Sequence, residues 1–109
     1  MGGLEVKGVD GEWIHAVPLK DSVLINAGDL LEIYTGGRLP ATMHRVVIPD
    51  EEVKKKTARQ SIVFFVHPNK EAAVFPLPGF EPESDKDGKY QRVTAQDHVL
   101  KRFEANYRY

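Results

Sequence analysis

The sequence predicts a mostly β chain closed by one C-terminal α-helix, in a sandwich or jelly-roll arrangement. Three observations predict it. Short β-branched apolar runs recur along the 109 residues between Gly and Pro breaks. Helical periodicity is sustained only over the last stretch of chain. The strand–helix alternation of a parallel α/β sheet is missing.

Taken in order, Leu4–Lys7 and Glu12–Val17 are half-alternating stretches separated by Gly8–Gly11, with Asp10–Gly11 as a hairpin-type turn. Ser22–Asn26 reads as a buried strand. Gly28 breaks that run, and Asp29 can cap a short helical turn carrying Leu30, Ile33 and Tyr34 on its apolar side, stopped by Gly36–Gly37. Ala41–Ile48 is a further strand ended by Pro49, and Ser61–Val66 another, ended by Pro68. Ala72–Phe75 is one more strand candidate. Two stretches read as loops. Asp50–Lys56 switches from three acids to three lysines, and Pro76–Gln91 collects prolines, glycines and acidic residues as a mobile surface segment. The terminal helix starts at a Thr94 cap with Asp97 three residues on. Ala95, Val99, Leu100, Phe103 and Tyr107 form its stripe.

Composition narrows the function. Hydrophobic residues at 41% and charged ones at 28% exclude wholesale disorder and suit one soluble domain. A net charge of −1 leaves no global field for nucleic acid or anionic lipid, and the acids at 50–52 cancel Lys54–Lys56. The expectation is therefore no nucleic-acid and no membrane partner. With no cysteine there is no disulfide, thiolate metal site or cysteine nucleophile, which is compatible with a cytoplasmic location.

Four histidines are the first candidates for chemistry. His15, His67 and His98 read as strand, strand-end and helix-surface residues, and none shows the spacing of a metal pair on one strand or helix. Trp13, Phe64 and Phe75 read as core aromatics. His44 is set apart by its surroundings.

Those surroundings form an ordered set of motifs. Gly2-Gly3-Leu4-Glu5-Val6 and Gly11-Glu12-Trp13-Ile14 come first, then Asn26-Ala27-Gly28-Asp29 and Thr35-Gly36-Gly37-Arg38. Thr42-Met43-His44-Arg45-Val46-Val47 and Arg59-Gln60-Ser61-Ile62-Val63-Phe64-Phe65 follow, and Val93–His98 with Arg102-Phe103 ends the series. Together they resemble the C-terminal half of the isopenicillin N synthase-like 2-oxoglutarate/Fe(II)-dependent dioxygenases.

The resemblance implies a partial double-stranded β-helix, or jelly roll, with a C-terminal α-helix. It implies an oxidoreductase that couples decarboxylation of 2-oxoglutarate to oxidation of a small organic substrate at non-haem Fe(II). His44 would correspond to the distal iron-binding histidine, and Arg59 and Ser61 to the pair that holds the far carboxylate of 2-oxoglutarate. Strand alternation agrees, since Arg59, Ser61, Val63 and Phe65 would share one face, while Met43 and Arg45 would point away from His44.

The family's His-x-Asp motif, its other two iron ligands, has no counterpart in the 109 residues. The chain is thus expected to be the C-terminal part of such a domain, inactive alone, and prone to self-associate or to take up a complementing N-terminal half. The alternative expectation is a non-catalytic, jelly-roll-derived binding or assembly domain.

Overall fold

The computed structural model describes residues 2–48, 58 and 60–107. Five short strands and two helices lie among them: β1 Leu4–Lys7, β2 Trp13–His15, α1 Asp29–Tyr34, β3 His44–Val46, β4 Ala73–Val74, β5 Val93–Thr94 and α2 Ala95–Tyr107. They belong to two compact units. One holds Met1–Asn26 and Thr42–Phe64, the other Ala27–Ala41 and Phe65–Tyr109.

The first unit is an antiparallel sheet in the order β2-β1-β3. The predicted turn makes its hairpin. Gly11 takes a left-handed φ of 87°, its N–H donates to the Gly8 carbonyl, and the Glu12 N–H donates to Asp10 Oδ1 at 3.0 Å. On the other side of β1, Leu4 pairs with Val46, Glu5 with Arg45 and Val6 with His44. Ladder ends are tied by Lys7 N–H to the Met43 carbonyl at 2.8 Å and Val47 N–H to the Gly3 carbonyl at 2.7 Å.

Residues directly opposite in an antiparallel pair share a face. One face of this sheet therefore carries Leu4, Val6, Ile14, His44 and Val46, and the other carries Glu5, Lys7, Trp13, His15 and Arg45. The charged face is tied together by its own contacts. The Arg45 guanidinium lies 4.1 Å from the centre of the Trp13 ring and pairs with Glu5 at 2.8 Å. The apolar face is open, with Ile14 and Val46 more than half exposed.

Two predicted strands differ from expectation. Ser22–Asn26 and Ser61–Val66 join neither sheet, and Ile25 and Ile62 stand 89% and 98% exposed. Phe64, expected in the core, is exposed as well. A β-branched run states a demand for burial, but a strand forms only where a second strand meets its backbone. The described residues of this unit use β1, β2 and β3 on one another.

The second unit holds the hydrophobic core. Ile33, Val74 and Ala95 are buried, with Leu30, Tyr34, Tyr90 and Val93 packed on them. Helix α1 ends on the predicted glycines, through two backbone bonds. Gly36 N–H donates to the Ile33 carbonyl and Gly37 N–H to the Glu32 carbonyl. Gly36 has φ +55°, and a Cβ there would run into the Phe80 carbonyl. The N-terminal cap differs from expectation. Gly28 occupies that position without a side-chain bond, which frees the Asp29 carboxylate to accept from Arg102 Nε at 2.7 Å and His98 Nε2 at 3.3 Å. Helix α2 begins as predicted, with Asp97 N–H donating to Thr94 Oγ1 at 3.1 Å.

Pro76–Gln91 forms no helix or strand, yet it is fastened rather than loose. Leu77 N–H donates to the Tyr34 carbonyl, Arg38 donates to the Gly79 carbonyl, and Lys89 pairs with buried Glu32. Glu32 also accepts the Ala41 N–H at 2.6 Å. Its bond to Lys89 raises the ammonium above its ordinary value, against an opposing desolvation effect.

Candidate functional site

The sequence-derived candidates are His44, Arg59 and Ser61. His44 opens β3 and is exposed on the apolar face of the first unit, directly across from Val6. Its Nδ1 lies 2.8 Å from the Thr42 carbonyl oxygen. Arg45, one residue on, is held on the opposite face by Trp13 and Glu5, as strand alternation requires. Ser61 is exposed and lies outside both sheets. Arg59 falls outside the described residues.

Three side chains from His, Asp or Glu that could hold a metal ion do not come together among the described residues. His44 offers one nitrogen. An octahedral ion such as Fe(II) needs several protein ligands held in fixed geometry, so the described donor set does not fit Fe(II) by itself. The His98–Asp29 pair is no substitute, because Arg102 already occupies the same carboxylate oxygen.

Residues 1–68, the stretch that contains all three candidates, match the model of the 2OG-Fe(II) oxygenase superfamily. The chain belongs to that superfamily. It is 34% identical over 93 residues to 1-aminocyclopropane-1-carboxylate oxidase 4 of Arabidopsis thaliana, covering 83% of this chain and 28% of that protein. It is 35% identical over 106 residues to 1-aminocyclopropane-1-carboxylate oxidase 1 of Doritaenopsis, covering 88% and 31%.

Solved structures agree. A 2OG-Fe(II) oxygenase family protein from Caulobacter crescentus superposes with a TM-score of 0.80 at 33% identity, over 95% of this chain and 34% of that one. A full-length Neurospora crassa protein, solved in complex with alpha-KG and thymine, superposes with a TM-score of 0.70 at 30% identity, over 97% and 32%. The chain thus spans about 30% of the length of the curated relatives it matches.

The superfamily is one of 2-oxoglutarate- and iron-dependent oxidoreductases, in keeping with the motif reading. Two contacts went unread in the sequence. The Thr42 carbonyl beside the His44 ring is a backbone group and carries no sequence signal. The Glu32–Lys89 pair joins residues 57 positions apart, and its one clue was an acidic residue set between Leu31 and Ile33.

Proposed function

We propose that this chain is the C-terminal portion of an isopenicillin N synthase-like oxidoreductase that couples decarboxylation of 2-oxoglutarate to oxidation of a small organic substrate. His44 is one iron ligand in this reading. Arg59 and Ser61 receive the far carboxylate of 2-oxoglutarate, the guanidinium as a two-pronged charged donor and the hydroxyl as a neutral one. The observation that carries the proposal is the position of His44. It is a polar ring on an open apolar sheet face, inside the 68 residues that match the superfamily.

The remaining ligands, and the sheet that completes a jelly roll over Leu4, Val6, Ile14 and Val46, belong to an N-terminal portion in this reading. The 109-residue chain alone is inactive. Succinate release from 2-oxoglutarate by the purified chain should not exceed that of iron in buffer, and release well above it would overturn the incomplete-site reading. Supplied with an N-terminal half from a relative, the chain should bind iron, and His44→Ala should abolish that binding. Arg59→Ala should weaken 2-oxoglutarate far more than Ser61→Ala, with lysine at position 59 rescuing only in part.

A second reading has its own support in the exposed runs Val23–Ile25 and Ile62–Val66. An apolar surface of this kind suits a non-catalytic assembly domain in which two copies, or a complementing half, cover each other. Light scattering decides it. A compact monomer with a concentration-independent thermal transition would defeat self-association.

A further inference from the structure

We infer that Leu77–Tyr90 is a strap that closes as one piece over the glycine end of helix α1, with the Glu32–Lys89 ion pair as its lock.

The strap lands on the α1 region twice. Near its start, the Leu77 N–H donates to the Tyr34 carbonyl at 2.9 Å. Arg38 donates to the Gly79 carbonyl at 2.9 Å, and its guanidinium lies 4.8 Å from the centre of the Phe80 ring. Near its end, Lys89 pairs with Glu32, and Tyr90 packs on the core with its hydroxyl beside Gly37. Residues 32–38 thus receive both landings.

The chain between the landings has little freedom to adjust locally. Pro76 at its edge, and Pro78 and Pro82 within it, have fixed φ angles. Gly79 and Gly88 take left-handed φ values of 84° and 65°, and small residues in such positions are where a backbone can swing. A stiff segment carried on glycine hinges moves as a body rather than residue by residue.

The lock follows from the burial of one partner. The Glu32 side chain is 10% exposed and that of Lys89 54%. Glu32 Oε2 accepts the Ala41 N–H at 2.6 Å, and Oε1 is the oxygen that takes Lys89. With the strap closed and the ammonium withdrawn, Oε1 would be a buried carboxylate oxygen without its donor, which is costly. Two arrangements avoid that cost. Either the strap is closed and the pair is made, or the strap is open and water reaches Glu32. The pair and the strap therefore switch together, and a change at Lys89 is felt at the far landing, on Leu77.

Amide hydrogen exchange of the 109-residue chain, followed by NMR over a denaturant series, tests this. The Leu77 amide reports the strap, because its acceptor lies on α1. The Ala95 amide, bonded to the Ala72 carbonyl, reports the core. In the wild type Leu77 should be protected, but less than Ala95 and with a shallower dependence on denaturant. Lys89→Met, which has no donor, should speed exchange at Leu77 by about tenfold or more. In Glu32→Gln the buried charge is gone, so adding Lys89→Met should then change Leu77 little. An unchanged Leu77 rate in Lys89→Met would overturn the one-piece strap. Equal acceleration with and without Glu32→Gln would overturn the lock. Leu77 and Ala95 sharing one rate and one denaturant slope would leave only global unfolding, and an unprotected Leu77 in the wild type would mean no closed strap. Either result defeats the inference.

Discussion

The two units solve the folding problem by different means. In Ala27–Ala41 with Phe65–Tyr109, a little strand pairing accompanies a packed core, and the buried apolar side chains Ile33, Val74 and Ala95 all lie there. In Met1–Asn26 with Thr42–Phe64, β1 pairs along both of its edges to make a three-stranded sheet, yet the sheet's apolar face and the unit's apolar runs stay open. Backbone pairing and side-chain burial are separate requirements, and the first is met here without the second. The candidate histidine belongs to the unit whose apolar residues are exposed.

Cavity-forming substitutions expose this contrast with the largest effect. Ile33→Ala should destabilise the second unit by about 2–5 kcal/mol in chemical denaturation. Ile62→Ala in the first unit should stay within about 0.5 kcal/mol, as for any exposed site. A comparable loss at both positions would show that the Ile62 run is covered in solution.

The next effect concerns Glu32, whose carboxylate serves both Ala41 and Lys89. Glu32→Ala leaves the Ala41 N–H without its acceptor and should cost about 1–3 kcal/mol. The Lys89 share has a defined pH sign. Because its folded-state value is raised, that stabilisation is complete below the ordinary lysine value of 10.5 and is lost as pH rises through the raised one. The stability gap between wild type and Glu32→Gln should therefore narrow in strongly alkaline denaturation series, and a gap that widens there would exclude the pair.

Gly36→Ala forces a left-handed backbone on alanine, at about 1–2 kcal/mol, and also drives a methyl group against the Phe80 carbonyl. Its melting temperature should fall more than that of Gly11→Ala, where a Cβ meets open space. The smallest loss of a specific contact belongs to the first unit. Arg45→Ala loses the exposed stack on Trp13, about 0.5–1 kcal/mol, and should leave His44 ring resonances unmoved because the two side chains face opposite ways.

Local signals were legible in the sequence and long-range ones were not. The Asp10–Gly11 turn, the Gly36–Gly37 stop and the Thr94 cap each act within a few residues, and each is realised. β1 appears over the expected residues, Leu4–Lys7. Ser22–Asn26 and Ser61–Val66 misled because their composition speaks of burial but not of a partner. Asp29 misled in the other direction. Its charge suggested a cap, while its actual partners, His98 and Arg102, lie about seventy residues away. For the site, the ordered motifs pointed to His44 and its family, and alternation placed Arg45 on the far face. The ring's carbonyl partner depends on main-chain geometry that no side chain encodes.

The exposed run from Ile62 to Val66 has a consequence for the life of the polypeptide in a cell. Five successive β-prone apolar residues carry no charge and no proline to interrupt them. Synthesised without cover, such a window is what holdase chaperones grip and what seeds inclusion bodies. The longer the run stays uncovered, the larger the share of chains exposed to chaperones and proteases.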